Sequence, residues 1–247
     1  QPAEFVALEN YRYLFDDPTF WQVTRNNIIY ALITIPASMA IAIGMALLVD
    51  SRMPGRGLVR MAYFSPTILP MIAAANIWMF FYAPQIGLFN AVLDWFGING
   101  PNWLGDPSFA LPSIIVMTIW KEAGFFMIFY LAALQTIPPE LGEASALEGT
   151  GRWAHFWRVT FPLLMPTTLF VLINALINAV RVVDHLFILT KGGPNNATNL
   201  LLYYVYQSAF AFFDRPYAAA ITVMILISLG ILATLQFTVL DRRTHYQ

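Results

Sequence analysis

The sequence contains no cysteine, which excludes disulfides, thiolate metal sites and thiol catalysis. It is also poor in charge. Asp, Glu, Lys and Arg make up 11% of the 247 residues, against about 25% in an ordinary soluble domain. Histidine occurs at His155, His185 and His245 only, too scattered to form a catalytic or metal-ligating set, so neither is expected. There is no Gly-x-x-x-x-Gly-Lys-Ser/Thr loop to cradle nucleotide phosphates, and the chain is not expected to hydrolyse ATP or to hold a cofactor. His-Glu-x-x-His and Gly-x-Ser-x-Gly are absent too, which leaves an intramembrane enzyme without a convergent nucleophile or metal set. A net charge of −1 gives no basis for nucleic-acid binding.

What is present is apolar: 58% of the residues are hydrophobic and 15% aromatic. A soluble core cannot hide that much apolar surface, so the bilayer is the expected solvent. Residues 26–49 carry no charge, and a span needs about 20 apolar residues. Further spans are expected at 61–82, 109–135, 161–186 and 216–240, giving an all-α, polytopic membrane helical bundle with five spans in one transmembrane domain over residues 1–247. Pro66 and Pro70 bend or break the second span. Arg52, Arg56 and Arg60 fall in a short loop, and Arg152 and Arg158 in another. Positive charge in short loops marks the cytoplasmic side. Asp241, Arg242 and Arg243 cap the last span on that side. The lead-in, 1–25, holds Phe5, Tyr11, Tyr13, Phe15, Phe20 and Trp21 and reads as a short interfacial helix and a turn, because aromatic rings favour the headgroup region. Residues 83–107 contain no Lys or Arg and fit the outside, with a short helix around 88–95. Another short helix, over 200–210, carries Tyr203, Tyr204 and Tyr206.

Polar residues inside these spans are the candidates for a solute path, since membrane-buried polar groups face protein or water. Asn76, Trp78 and Tyr82 either line a cavity or serve interhelical packing. Lys121 and Glu122 sit near the middle of the third span. As neighbours in sequence they do not face each other, so each requires a partner elsewhere, in a structural pair or in a cavity wall. Asn174, Asn178, Arg181 and Asp184 follow spacings of four, three and three. On a continuous helix they form one polar stripe, with Arg181 and Asp184 placed to pair. The stripe serves either solute contact or packing between subunits.

The chain is organised around residues 137–162, a polar island between two apolar runs. Pro138 and Pro139 suit a helix start, and Glu140 and Glu143 suit the positive end of its dipole. Ala144, Ser145 and Ala146 make a thin surface, and Gly149 and Gly151 allow a sharp turn before Trp153–Arg158. A short helix, a bend and a second short helix at a membrane surface form a docking element. Glu143-Ala144-Ser145, then Gly149, then Phe161-Pro162, resemble the EAA loop of bacterial ABC importer permeases. Ser145 stands in place of the third Ala of that pattern and Phe161 in place of Leu. Asn10–Phe15 with Phe20-Trp21, and Thr190-Lys191-Gly192-Gly193-Pro194 followed by Thr198, extend the resemblance across nearly the whole chain, towards the carbohydrate-uptake group that includes maltose and glycerol-3-phosphate permeases.

The resemblance implies a type I permease fold with six spans, one of them preceding Gln1, where no Met stands and no signal-peptide pattern is seen. It implies a multi-pass place in the bacterial inner membrane and a cytoplasmic coupling loop at 137–160. Glu143, Ala144, Ser145, Gly149 and Arg152 would there dock an ATPase subunit. The implied partners are a second homologous permease chain, two cytoplasmic ATPase subunits that carry ATP and Mg, a periplasmic or lipid-anchored binding protein, membrane lipid and a small solute. Asn, Tyr and Trp in a cavity suit a sugar, whereas Arg181 suits a phosphate. An ion-coupled secondary transporter is the alternative; it works alone and has no use for a docking loop.

Overall fold

The computed structural model describes residues 6–51 and 54–241, with side chains described as far as Leu235. The expectations placed on Phe5, Arg52, Arg242, Arg243 and His245, and on the side chain of Asp241, lie outside these residues. The described residues contain helices and no strand.

Helix α1 (Glu9–Asp16) ends at Asp17, and α2 runs from Pro18 to Asp50. Asp17 starts α2 by accepting the Thr19 N–H at 2.8 Å, as an N-cap acid should. Pro18 fits the first helical position, where its missing N–H costs nothing. Nothing between Pro18 and Arg25 stops a helix once it is capped, so the end of the lead-in, from Pro18, and the span expected at 26–49 form one helix of 33 residues.

The second span is two helices, α3 (Arg56–Ile68) and α4 (Met71–Phe81). The break falls at Leu69, which is extended at φ −70° and ψ 133°. A residue before proline is pushed out of the helical region, and Pro70 does this to Leu69. Pro66, by contrast, stays inside α3. Its missing N–H removes the usual partner of the Ala62 carbonyl, and the Ser65 hydroxyl donates to that carbonyl instead, at 2.9 Å.

Helix α5 (Leu88–Trp95) stands where expected, and α6 (Pro107–Leu134) forms the third span. Next come α7 (Pro139–Leu147), α8 (Arg152–His155), a π-helical turn at Phe156–Thr160 and α9 (Phe161–Leu163). The fourth span, expected over 161–186, is found as a segment over Met165–Leu189 long and apolar enough to cross a membrane; within it the helix is interrupted locally at 181–183, between α10 (Met165–Val180) and α11 (Asp184–Leu189). Helix α12 (Leu201–Tyr206) leads through a second π-helical turn to α13 (Arg215–Asp241). Four of the described segments are long and apolar enough to cross a membrane, and α3 with α4 makes a fifth if the broken pair is one span.

The chain divides into two compact units, each discontinuous in sequence. One takes the residues up to Ile33, Pro70–Met117 and everything from Leu176; the other takes Thr34–Leu69 and Thr118–Ala175. In the first, Leu14, Phe20 and Val23 bury against Tyr204, Tyr217, Ala220, Ile221 and Ile225. Yet only 17% of the apolar window of α13 is buried, and Leu226, Ile227, Ile231, Leu232 and Leu235 are exposed. An apolar helix bare to this degree requires lipid or another chain around it.

In the second unit, α6 lies close against α3. A Cβ built on Gly124 would sit 2.3 Å from the Tyr63 carbonyl oxygen and 3.3 Å from Thr67 Oγ1. Small residues of this kind let helix backbones approach in a membrane. Gly124→Ala is expected to lower stability by about 1–3 kcal/mol through overpacking. Gly230→Ala in α13, where a Cβ meets nothing within 4 Å, should change it by less than about 0.5 kcal/mol. Thermal unfolding in lipid nanodiscs compares them, and equal midpoints would refute the close approach.

Candidate functional site

The segment after α6 is a helix closed by a left-handed turn. Pro138 precedes α7 and Pro139 opens it. At its end the Thr150 N–H donates to the Ser145 carbonyl at 3.0 Å, and the Gly149 N–H to the Ala146 carbonyl at 3.1 Å. These paired bonds are a Schellman closure, which places its C′ residue in the left-handed region. Gly149 is that residue, at φ +70°. A Cβ on it would meet no atom of this chain within 4 Å. Backbone conformation rather than crowding within the chain therefore requires the glycine.

Glu140, Glu143 and Ala144 are exposed, whereas Ser145 is buried and seats α7 on its own chain. Arg152 opens α8, also exposed. Apolar side chains accompany these charges: Leu147 is 91% exposed and Trp153 74%, with Leu141 beside them in sequence and also exposed. Trp153 stacks on Phe156 at 6.0 Å, Phe156 meets Trp157 at 5.1 Å, and Trp157 meets Phe161 at 5.1 Å. The spacing 153, 156, 157 and 161 is helical and was readable in the sequence as a ring stripe.

The span candidates divide by their surroundings. Trp78 and Tyr82 are buried in a ring cluster, at 5.4 Å from each other and at 5.8 and 5.2 Å from Phe89. The Tyr82 hydroxyl donates to the Ser113 carbonyl at 2.8 Å. These contacts give both residues a packing role. Asn76 is exposed on α4 and donates to the Ile72 carbonyl of its own helix at 2.9 Å. Asn174 does the same on α10, to Phe170 at 2.8 Å. Asn178 is half-buried.

Arg181 stands in the bend after α10 and Asp184 begins α11, both exposed. The continuous stripe expected over 174–184 is therefore cut at Val180. Among the described residues no ion pair joins Arg181 to Asp184, because their i, i+3 relation needed an unbroken helix. Helix α11 packs against α4, which brings the elements that carry Asp184 and Asn76 together.

Lys121 finds partners in the backbone. Its ammonium donates to the carbonyls of Pro66, at 3.0 Å, and of Leu69. These oxygens lie at the broken end of α3, where the last carbonyls of a helix have no intrahelical donor. A cation there also answers the negative end of the helix dipole. Glu122, the next residue on α6, is half-buried.

On the other unit, the Thr-x-Gly-Gly-Pro…Thr segment is bonded to itself. Thr198 Oγ1 lies 2.7 Å from Thr190 Oγ1 and donates to the Gly193 carbonyl at 2.7 Å. Helix α2 holds the segment in place: Gln22 donates to the Asn195 carbonyl at 2.8 Å, and Asn26 to the Asn196 carbonyl at 2.7 Å. Nearby, Asp17 Oδ2 accepts from the hydroxyls of Tyr204, at 2.7 Å, and Tyr217. This acid joins the start of α2 to α12 and α13, and it was not singled out in the sequence. Burial raises its carboxyl, but the hydrogen bonds from Tyr217, Tyr204 and Thr19 outweigh that and hold it below its ordinary value.

The helical architecture, with several helices long and apolar enough to cross a bilayer, defines a multi-pass membrane protein. Residues 25–246 match the family described as the inner membrane component of binding-protein-dependent transport systems, and the chain belongs to that family. It is 36% identical over 223 residues to the sulfoquinovosyl glycerol transport system permease protein SmoG of Agrobacterium fabrum, covering 90% of this chain and 72% of that one. It is 30% identical to the sn-glycerol-3-phosphate transport system permease protein UgpA of Pectobacterium atrosepticum, covering 99% of this chain and 83% of that one. Its fold matches a chain of a bacterial alginate ABC transporter, solved in complex with an alginate pentasaccharide-bound periplasmic protein. The TM-score is 0.88 at 23% identity, with 97% of this chain and 84% of that one covered. The fold is thus the type I permease fold.

Gly149→Ala should destabilise the coupling turn by about 1–2 kcal/mol, the cost of left-handed backbone for a residue with a Cβ. Gly149→Asn should cost less, since asparagine tolerates that region. Limited proteolysis at 147–152 ranks the variants, and a parent-like Gly149→Ala would remove the conformational reason for the glycine. Asp17 supplies a pH dependence. Its lowered value means that its contribution is present above the ordinary carboxylate value and is lost as pH falls through the lowered one. The unfolding midpoint should drop between about pH 5 and about pH 3 by more in the parent than in Asp17→Asn.

Proposed function

We propose that this chain is a transmembrane subunit of an ATP-driven importer of the bacterial inner membrane, passing a saccharide or a glycerol-phosphate-like polyol by alternating access. The single observation that carries the proposal is the coupling segment, where a short helix with exposed acids is closed by a Schellman turn and flanked by bare Leu147 and Trp153. An apolar and acidic surface on a short, fixed helix is what a cleft in a cytoplasmic protein can grip. Glu143 makes the charge-assisted contact there and Ala144 permits close approach, while Ser145 seats the helix.

ATP and Mg act on the partner subunits, since this sequence holds no phosphate-cradling loop. ATP binding draws two such subunits together and displaces the coupling helices of this chain and of a second, homologous permease. A periplasmic or lipid-anchored binding protein delivers the solute, a reading supported by the periplasmic protein bound to the alginate transporter. Within this chain the solute meets Asn76, Asn178, Arg181 and Asp184, exposed or half-buried polar groups that lie in one compact unit. The solutes for which the relatives are named, a sulfoquinovosyl glycerol and a glycerol phosphate, support a hydroxyl-rich solute that bears an anionic group. Arg181 would answer that anion.

Glu143→Lys should release the ATPase subunit without unfolding the spans. Co-purification and thermal unfolding together check this, and a variant that retains the ATPase would exclude Glu143 from docking. ATP hydrolysis by the whole assembly in nanodiscs, with its binding protein and a panel of sugars, polyols and glycerol phosphates, should rise with one compound. If no ATPase co-purifies with the parent and no compound stimulates it, the assignment gives way to an ion-driven carrier.

A further inference from the structure

We infer that Lys121 is a positioning residue of the transport cycle: its ammonium caps the broken end of α3 and fastens that helix to the part of α6 that leads into the coupling segment. The inference rests on the importer reading, which it deepens. Four observations support it, and all lie in one compact unit, Thr34–Leu69 with Thr118–Ala175.

The first is the cap itself. Lys121 Nζ bonds two carbonyls, Pro66 and Leu69, three residues apart at one helix end. A lysine ammonium has three donors, and two of them are committed to backbone oxygens rather than to a side chain. The second is Gly124, three residues on and so on the same face of α6. Its missing Cβ admits the Tyr63 carbonyl of α3, so the two helices meet at a close contact and at a charged cap within one turn. The third is the break. Leu69 is extended, so the α3 carbonyls near it lose the donors that a continued helix would supply. The fourth is chain order: from Thr118 onward α6 runs without interruption to Leu134, and α7 begins five residues later at Pro139. A displacement of α7 therefore reaches α6 directly along the chain, and it reaches α3 through the Lys121–Gly124 contact.

A lysine serving only to line a solute path would aim its ammonium at a cavity. A lysine serving only fold stability would be replaceable by a well-packed apolar side chain. Fastening for movement differs from both, because it requires a bond that survives nucleotide binding and that arginine can restore.

The absence of cysteine from the chain makes the test direct. Leu58→Cys on α3 and Ala132→Cys on α6, both exposed positions, accept one spin label each. The distance between them is measured by pulsed electron resonance in the whole assembly in nanodiscs, first without nucleotide and then with MgATP and vanadate. In the otherwise unchanged protein the distribution should be narrow and the same in both states. In Lys121→Met a second, longer population should appear on adding nucleotide, while the assembly still hydrolyses ATP. Lys121→Arg should restore the single narrow distribution.

A single distribution in Lys121→Met, unmoved by nucleotide, overturns the inference. Loss of the assembly in Lys121→Met transfers the comparison to Lys121→Gln, which keeps an N–H donor and removes the charge. That variant should show the second population in part, and a parent-like distribution overturns the inference there as well. If no ATPase subunit accompanies the parent, the importer reading fails by itself. The nucleotide-free comparison of Lys121→Met with Lys121→Arg then decides the cap, with a broadened distribution in the first and a narrow one in the second supporting it.

Discussion

A backbone carbonyl inside a bilayer has no water to turn to, so every helix interruption at membrane depth must bring its own donor. The second and fourth spans of this chain are both interrupted. Where Pro66 removes an N–H, the Ser65 hydroxyl serves the Ala62 carbonyl. Where Pro70 ends α3, the Lys121 ammonium serves Pro66 and Leu69. At the broken second span, prolines are tolerable because a side chain from the same helix or a neighbouring one stands in for the lost bonds. The one charged donor among them is also the most demanding, since it has to be delivered by a different helix, and Gly124 is the reason that helix comes near enough.

The same requirement explains which parts of the molecule were legible in the sequence. Long charge-free runs have one solution in lipid, so the existence of the spans could be read directly. The short helix at 88–95 and the coupling helix after Pro138-Pro139 were equally plain, because turn and cap residues bracket them. The breaks were harder. Pro70 marked the first, but no proline or glycine stands between Val180 and Asp184, and the stripe drawn through Asn174, Asn178, Arg181 and Asp184 assumed a helix that stops. Lys121 was singled out in the sequence because charge is expensive inside a span. Its partners could not be found by matching charges, because they are backbone oxygens and every residue has one. Asp17 was missed for a related reason: its tyrosine partners lie 187 and 200 residues away, and nothing local distinguishes it from any acid before a proline.

The candidate residues also show how burial sorts chemistry that composition leaves mixed. Trp, Tyr and Asn in one stretch suited a sugar site. Once Trp78 and Tyr82 are found packed against Phe89 and one another, the rings are accounted for by the core of their unit, and the amides and charges remain. A path lined by Asn76, Asn178, Arg181 and Asp184 has little stacking surface. It would hold a hydroxylated anion through hydrogen bonds that are easily exchanged. Weak, exchangeable contacts suit a conduit in which a solute has to leave as readily as it arrives, and on the proposed function they would leave tight selection to a protein that delivers it.

The segments expected outside, at 83–107 and 187–216, fall mostly in one compact unit. The segments expected in the cytoplasm, at 50–60 and 137–160, fall in the other. Within the second of these units the parts differ in what holds them. The coupling helix α7 is fixed by local bonds alone, through its Schellman closure and the seat of Ser145. Helix α3 is fixed by a distant lysine and a close glycine contact. On the proposed function, a force applied at α7 would meet a rigid local element first and a single charged fastening next. Rigidity where a partner would grip, and one identifiable bond where movement would be handed on, would convert a partner's closure into displacement of a span rather than into local unfolding of the loop.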